Sequence, residues 1–245
     1  MLKKIKFIHS DLLKILAMIL MLLDHMWATL IPGNQWMTNV GRLAFTIFGF
    51  MIAEGFVHTY NFKKYALRLL IFGLISEIPF NLIYSGSFIF PFHQNVMFTL
   101  LLGLLCINEI DKFKKNISVK NGVKCGLKTL LFLLLGLVGF VDYGVMGIMT
   151  VIVFYVFRDF KCAWLCQLAS LVLMYIVFFK GQSVIIPFGT YEYFFPLQGF
   201  GVLALIPIWL YNGKKKNKNA VLKYAFYSFY PLHMIILYCI YRIAF

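Results

Sequence analysis

The stretch that decides the fold is LLKILAMILMLLDHMWATLI, residues 12–31, in which Asp24 and His25 stand side by side. A helix needs about 20 mostly apolar residues to cross the hydrocarbon core of a bilayer, and this stretch has that length. An acid and an imidazole inside such a segment are costly, so we expect them to face other helices, water or a substrate. The pair is therefore the first candidate for a functional site.

The composition of the whole chain is that of a membrane protein. Of its 245 residues, 62% are hydrophobic and 13% are charged, whereas soluble domains have about 25% charged residues. Apolar runs recur almost to Phe245 and predict an all-α, polytopic integral membrane helix bundle with about nine transmembrane helices. Because no stretch is left for a soluble domain, residues 1–245 are predicted to form a single integral membrane domain.

Basic residues orient this bundle. The predicted spans are residues 12–31, 39–58, 67–84, 95–110, 129–141, 144–157, 162–179, 196–211 and 224–243. All but three of the 23 Lys and Arg residues then fall on one side, including the leader Lys3, Lys4 and Lys6 and six lysines in a loop at 111–128. Since cytoplasmic loops are enriched in Lys and Arg, the amino terminus is predicted to be cytoplasmic. The net charge of +14 follows from this topology, so no nucleic-acid partner is predicted.

Other segments complete the prediction. Asp142 and Tyr143 form an outer turn between two short spans, and the aromatic segment around residues 180–196, which includes Lys180, lies outside, at the interface or over a cavity. None of the five cysteines falls in a predicted outer loop, and Cys162 and Cys166 have no histidine nearby. We predict neither a disulfide framework nor a metal site.

Polar residues of several predicted helices fall at one depth. With a rise of about 1.5 Å per residue, Asp24 lies roughly 15 Å above Lys14, outward of the bilayer middle. An outward-opening pocket is predicted from the other polar residues at or beyond this level: Arg42, Glu77, Asn81, His93, Asn95, Asp142 and Tyr143. We expect the last five of these, from Asn81 onward, to contact the substrate.

His25 is predicted to be the general base of this pocket. A histidine can accept a proton from an amine or hydroxyl nucleophile when an acid orients it. Adjacent helical residues point about 100° apart, so Asp24 either orients His25 or pairs with Arg42, which leaves Glu77 as the orienting acid. The alternative is a buried structural network without chemistry.

A second polar group is predicted toward the cytoplasm. Its members are Glu54, His58, Lys63, Lys64, Arg68, Tyr230 and His233. Basic residues around a polar mouth suit an anionic, phosphate-bearing ligand. The alternatives are lysines that follow the orientation rule and, for Glu54 and His58, an ordinary pair one helical turn apart.

Seven stretches of the chain form a recognisable pattern. They are, in order, LKILAMILMLLDHMWA, GRLAFTIFGFMIAEGFVHTYNFKKYALRLL, SEIPFNL, NVMFTLLLG, DYGVMG, YNGKK and KYAFYSFYPLHMIILY. On these stretches the chain resembles the TraX family, membrane proteins linked to amino-terminal acetylation of conjugative pilin. The chain departs from the family where Thr46 replaces a usual proline and where GKKK replaces GKRG. More remotely, its first helix is similar to that of the transmembrane acyltransferases that modify sugars.

The resemblance implies an acetyltransferase of a bacterial inner membrane, with several spans. Acetyl-CoA would be the donor at the cytoplasmic mouth, no metal would be needed, and the acceptor would be an extracytoplasmic amine or hydroxyl on a pilin-like peptide or a glycan. Two other functions stay open. One is a proton-coupled transporter or exporter that uses Asp24, His25, Glu77 and Glu54 as a relay, and the other is an assembly partner in an envelope complex.

Overall fold

The computed structural model describes residues 6–178, 181–189, 191–214 and 220–244, with the side chains of 188 and 220–223 excepted. Most of these residues are helical. The α-helices are α1 (Ser10–Thr29), α2 (Gln35–Val57), α3 (Phe62–Ser85), α4 (Val96–Lys115), α5 (Val119–Val138), α6 (Gly144–Val156), α7 (Ala163–Val172), α8 (Leu205–Trp209) and α9 (Ala220–Ala244). The predicted cytoplasmic Lys3, Lys4 and residues 215–218, and the predicted outer Lys180, lie outside the described residues.

Helix α1 shows how the decisive stretch folds. The His9 side chain accepts a hydrogen bond from the backbone N–H of Leu12 and so caps the helix start. Ala17, Met21 and His25 recur at every fourth position and are buried, whereas Ile19 on another face is 52% exposed. The imidazole of His25 therefore continues the face that packs inside the protein.

Four described helices are long and apolar enough to cross a membrane. They are α1, α2, α3 and α5, while the apolar segments Gly144–Val156, Ala163–Phe178 and Leu197–Trp209 are shorter. These helices support a helical membrane protein. The count of nine spans and the cytoplasmic amino terminus stay predictions.

The chain divides into two compact units. The first unit comprises Met1–Phe48, Asp159–Phe229 and Cys239–Phe245, and the second comprises Gly49–Arg158 and Tyr230–Tyr238. Helices α2 and α9 therefore contribute residues to both. The sequence predicts that the whole chain is embedded in the membrane as one integral domain. This division into units does not test membrane embedding, so the single domain stays a prediction.

The second unit is built around α4, which packs against α3, α5 and α6. Glycines allow the close approach. A Cβ added at Gly103 of α4 would lie 2.8 Å from the Val151 Cβ of α6, and one at Gly136 of α5 would lie 2.4 Å from the Ile148 Cδ1. Small residues at helix contacts are typical of membrane bundles, where close van der Waals packing stabilises association.

The predicted cytoplasmic loop at 111–128 is wrong as a loop, because most of it is helical. Helix α4 continues to Lys115, and α5 begins at Val119 after Ser118, whose hydroxyl accepts the N–H of Asn121. Lys120, Lys124 and Lys128 recur every fourth residue, which places them along one face of α5. The Lys128 Nζ lies 3.0 Å from Glu109 Oε2. A lysine-rich stretch that resembles a loop in its composition can thus be part of a helix.

Within the described residues, the aromatic segment that was predicted to lie outside is the exception to an all-α fold. Strands β1 (Ser183–Phe188) and β2 (Tyr191–Pro196) form an antiparallel hairpin in which Ser183 pairs with Pro196 and Phe188 with Tyr191. The turn begins at Gly189, whose φ of 65° suits a residue without a Cβ. The β-branched residues of β1 and the aromatic residues of β2 favour this strand pair.

Candidate functional site

In the first unit, the Asp24 carboxylate is held by two side chains of α2. Asp24 Oδ1 accepts hydrogen bonds from Thr38 Oγ1 and Arg42 Nη2, each at 2.7 Å, and Arg42 Nη2 also donates to Thr38 Oγ1 at 2.9 Å. We call these three residues the Asp24 network. Thr38 and Arg42 are four residues apart, so they share one face of α2. The pairing of Asp24 with Arg42, one of the two predicted alternatives, is the one observed.

A glycine brings the two helices of the Asp24 network together. A Cβ added at Gly41 would lie 2.5 Å from the Asp24 Cβ. No side chain fits at this position, so α1 approaches α2 closely enough for a short ion pair. The Asp24 and Arg42 side chains are 13% and 21% exposed, and a pair this protected is screened less by water than a surface pair.

His25 lies beside this network and is 7% exposed. Arg42 is close enough to the His25 imidazole to interact with it electrostatically. The backbone carbonyl of His25 accepts a hydrogen bond from Thr29 Oγ1 at 2.7 Å. The predicted catalytic residues Asp24, His25 and Arg42 thus lie in one unit of the fold.

The fourth predicted catalytic residue, Glu77, belongs to the second unit. Glu77 Oε1 accepts hydrogen bonds from the backbone N–H of Asn95, at 2.9 Å, and from the Asn95 side-chain amide. The same amide nitrogen donates to the Gly73 carbonyl at 2.9 Å, and Asn95 Oδ1 caps α4 by accepting the N–H of Met97 at 3.0 Å. Asn95 is fully buried. It was predicted to contact the substrate, and in the structure its side chain bonds Glu77, Gly73 and Met97.

His93 and Asp142 form an ion pair next to Glu77. His93 Nε2 lies 3.7 Å from Asp142 Oδ1, and both side chains are about one third exposed. The Asp142 carboxylate raises the pKa of His93 above its ordinary value of 6.5, against the opposing effect of partial burial, and Glu77 adds to the rise. We call Glu77, His93, Asn95 and Asp142 the His93 network.

The turn that carries Asp142 is fixed to the chain around His93. The N–H of Gln94 donates to the Phe140 carbonyl, and the N–H of Asp142 donates to the Gln94 carbonyl. Phe140 and Tyr143 have φ angles of 50° and 61°, which are uncommon for residues with a side chain. The predicted turn at Asp142 and Tyr143 is confirmed, and its backbone is held in an unfavourable conformation at a polar site.

Two further groups of predicted residues lie in the second unit. Asn81 is 4% exposed; its amide nitrogen donates to the Phe88 carbonyl, and its Oδ1 has no hydrogen-bond partner among the described residues. His58, which directly follows α2, places its Nε2 3.0 Å from Oε1 of Glu54, four residues earlier. Lys63 and Lys64 are exposed at the start of α3.

Tyr230 differs from its predicted place in the Glu54 group. Its hydroxyl receives a hydrogen bond from the backbone N–H of Val96, at the start of α4, and lies within electrostatic range of Asp142, Tyr84 and Glu77. The ring of His233 contacts the Tyr230 ring, with centroids 5.8 Å apart. Helix α9 therefore brings Tyr230 to the His93 network, which a depth estimate from one helix does not reveal.

Sequence reasoning missed several residues of these networks. Thr38 bridges the Asp24–Arg42 pair, and Thr99 Oγ1 donates to the Asp142 carbonyl. Thr38 and Arg42 are four residues apart and so share a helix face, and this spacing could have identified Thr38 from the sequence. Within the described part of the chain, no group of three or more His, Cys, Asp or Glu residues has the arrangement of a metal site.

Comparison with known proteins assigns the family. The sequence model of the family described as TraX protein matches residues 9–241. The chain belongs to the TraX family. Among its relatives is a protein of Dichelobacter nodosus named probable fimbrial assembly protein FimC, serogroup H1, which is 28% identical over 237 residues, 92% of each chain. No solved structure matches this TraX family chain. The matched region contains both the Asp24 and the His93 networks.

Proposed function

We propose that this chain is an acetyltransferase embedded in the cytoplasmic membrane of a bacterium. It takes an acetyl group from cytoplasmic acetyl-CoA and transfers it to an extracytoplasmic amine or hydroxyl, on a pilin-like peptide or a glycan. Membership of the TraX family over residues 9–241 supports this function. The name of the Dichelobacter relative, a fimbrial assembly protein, supports an acceptor of the pilin type.

The single observation that carries the proposal is the Asp24–Arg42 ion pair beside the buried His25. In the proposed reaction the acceptor nitrogen or oxygen attacks the acetyl carbonyl carbon, and the carbon–sulfur bond of the thioester breaks. His25 takes the proton of the attacking group and gives it to the CoA sulfur, which leaves as the thiol. Arg42 stabilises the oxyanion that develops on the carbonyl, while Asp24 and Thr38 position the guanidinium.

The remaining predicted residues have proposed binding roles. The carboxylates of Glu77 and Asp142, with His93, Asn81 and Tyr143, suit an acceptor that carries an amine. Asn95, which is fully buried, would act by positioning Glu77. Lys63 and Lys64, near Glu54 and His58 in sequence, suit the phosphate groups of the donor. Tyr230 and His233, first assigned to the donor, fit the acceptor side better because Tyr230 bonds the start of α4.

The direct test is acetyl transfer by the purified protein in lipid nanodiscs. Acetyl-labelled acetyl-CoA is supplied with a pilin-like peptide that has a free amino terminus or with a glycan, and the acetylated product is measured by mass spectrometry. We expect transfer by the native chain and at least a ~100-fold loss in His25→Ala, because a general base contributes about 10²-fold or more. His9→Asn, which removes another histidine but keeps a good helix cap, should retain activity. Full activity in His25→Ala would remove His25 from the mechanism.

A second candidate function is a non-enzymatic role in envelope assembly, which the name of the fimbrial assembly relative favours. In that case Asp24→Asn and His25→Gln alter the amount of assembled fimbriae, while no acetyl group appears on envelope peptides or glycans of the native strain. Flux of protons or solute through proteoliposomes without consumption of acetyl-CoA would instead indicate a transporter.

A further inference from the structure

A buried glutamine in the first unit has no internal partner. Gln198 is 2% exposed, yet neither its Oε1 nor its Nε2 makes a hydrogen bond among the described residues. Burying an amide without hydrogen bonds is unfavourable, because the group loses its hydrogen bonds to water. An apolar residue here would be more stable, so the amide needs another reason to be in this position.

Two other buried polar side chains lie next to this amide. Thr46 and Tyr175 are at most 1% exposed, and Thr46 Oγ1 donates to the Tyr175 hydroxyl at 3.3 Å. A Cβ built on Gly201 would lie 2.9 Å from Gln198 Nε2, 3.0 Å from Thr46 Oγ1 and 3.0 Å from the Tyr175 ring. The three side chains therefore converge on one backbone position that only glycine fits. We call Thr46, Tyr175 and Gln198 the Gln198 site.

The segments that carry Tyr175 and Gln198 have unusual helical geometry. Tyr175 lies in a six-residue π-helix, Leu173–Phe178, and Gln198 lies in an eight-residue 3₁₀-helix, Leu197–Ala204. π-helical turns are rare and frequent at functional sites, and 3₁₀-helices longer than three or four residues are uncommon. Both less favourable geometries occur where the unbonded amide is buried, which is typical of a site maintained for binding.

Helix α2 connects the Gln198 site to the Asp24 network. Thr38, Arg42 and Thr46 are spaced by four residues, so they line one face of α2 within the first unit. Thr46 is about 6 Å along the helix axis from Arg42. On the predicted topology, in which α2 runs inward, Thr46 lies on the cytoplasmic side of Arg42.

The chemistry of the Gln198 site defines its ligand. Gln198 supplies one acceptor and one pair of donor hydrogens, and the three side chains carry no charge, so they complement a neutral secondary amide. In an acyl thioester of the CoA type, two methylene groups separate the sulfur from the nearest amide nitrogen, about 4 Å at ordinary bond lengths. This spacing suits a thioester carbonyl near Arg42 and an amide near Thr46.

We propose that the Gln198 site binds the secondary amide next to the thioester of the acetyl donor. The proposal rests on the proposed acetyl transfer for its choice of donor, and a peptide bond of the acceptor has the same chemistry. Gln198 then holds the donor chain one helical turn from the reacting carbonyl. Binding of the amide supplies the hydrogen bonds that the protein itself leaves unmade.

The test compares Gln198→Met with Gln167→Met in nanodiscs. Both residues are buried glutamines of the first unit, but Gln167 Oε1 already accepts the indole N–H of Trp209 at 3.1 Å. We expect Gln198→Met to fold with unchanged or higher thermal stability and to raise the KM for acetyl-CoA about 10-fold, the loss of one or two hydrogen bonds. Gln167→Met should lower thermal stability and leave that KM unchanged. Thr46→Val provides a second variant at the same site.

Donor and acceptor analogues identify the source of the amide. S-acetyl-N-acetylcysteamine should show the same KM increase as acetyl-CoA, whereas S-acetyl-2-mercaptoethanol, which has no amide, should react equally with native and variant protein. If the KM of the variant increases only for the acceptor peptide, the result supports the site with a peptide bond of the acceptor as its ligand. Unchanged KM values for every amide-bearing substrate in folded Gln198→Met and Thr46→Val overturn the proposal and assign the position to an internal water only.

Calorimetric binding of CoA and of the peptide separates this proposal from the proposed function. If the native chain transfers no acetyl group but binds either amide-bearing molecule, weaker binding by Gln198→Met upholds the site while the acetyltransferase function fails. Equal binding by the variant, or no binding of either molecule by the folded native chain, overturns the site.

Discussion

The Asp24 and His93 networks both place a carboxylate among apolar helices, but they neutralise it differently. Asp24 is bonded by a guanidinium and a hydroxyl from one neighbouring helix. Glu77 is bonded by the neutral backbone and side chain of Asn95, and two carboxylates, Glu77 and Asp142, act on the one imidazole of His93. The first network pairs one carboxylate with one guanidinium, whereas the second sets two carboxylates around one imidazole.

Adjacency in sequence did not identify the acid and the imidazole that pair within these networks. Asp24 and His25 are neighbours, yet the carboxylate bonds Thr38 and Arg42 of another helix. Within the two networks, the acid and imidazole that form an ion pair are His93 and Asp142, which are far apart in the chain. We therefore expect the Asp24 network to contribute mainly to stability and positioning, and the His93 network to respond to pH.

The largest expected effect follows from breaking the Asp24–Arg42 pair. Arg42→Met leaves a largely buried carboxylate without its cation, which should lower the free energy of unfolding by about 3 kcal/mol. The double variant Asp24→Asn with Arg42→Met should recover most of this loss, because no charge is then left unpaired. Thermal unfolding in detergent measures both. Native stability in Arg42→Met alone would mean that the ion pair does not stabilise the first unit.

A smaller effect is expected from separating the two helices of the Asp24 network. Gly41→Ala places a Cβ 2.5 Å from the Asp24 Cβ, and overpacking of this kind costs about 2 kcal/mol. Gly33→Ala is the matched control, since a Cβ there meets nothing within 4 Å. The midpoint of thermal unfolding should fall only in the first variant. Equal midpoints would show that α1 and α2 have room to separate without loss.

The corresponding change in the His93 network should cost less. Asn95→Ala removes the cap of α4 and one of the two donors to Glu77, but the backbone N–H of residue 95 remains to bond the carboxylate. We expect a loss of about 1.5 kcal/mol in the free energy of unfolding. Asn116→Ala, exposed at the other end of α4, serves as control. A loss larger than that of Arg42→Met would reverse the order proposed for the two networks.

The smallest effect is a shift in the titration of His93. NMR of its imidazole should give a midpoint above 6.5 in the native chain and a lower one in Asp142→Asn, because the carboxylate raises this pKa. The sign for stability follows. A raised pKa in the folded state means that His93 stabilises the fold fully below pH 6.5 and that this stabilisation is lost as the pH rises through the folded-state pKa. Identical midpoints in the two proteins would contradict the ion pair.

Sequence reasoning reached some elements and missed others for physical reasons. The turn at Asp142 and Tyr143 was predicted because a polar pair interrupts two apolar runs, and it lies between α5 and α6. The start of α5 at Val119 was missed, since lysines at every fourth position resemble a solvated loop in composition. The hairpin Ser183–Pro196 was also missed, although a glycine turn between a β-branched run and an aromatic run is a hairpin pattern.

By itself, the sequence determined the class of this protein and the residues worth examining. The length of an apolar run and the cost of placing polar groups in hydrocarbon depend only on the residues of one segment, so the sequence alone gives both. Tertiary structure alone decided that Asp24 bonds Arg42, that His93 pairs with Asp142, and that Tyr230 bonds the start of α4. Side-chain pairing depends on which helix faces which, and that is a non-local property. The Asp24–His25 stretch could indicate a site, but only the packing of the helices decided which side chains bond each other there.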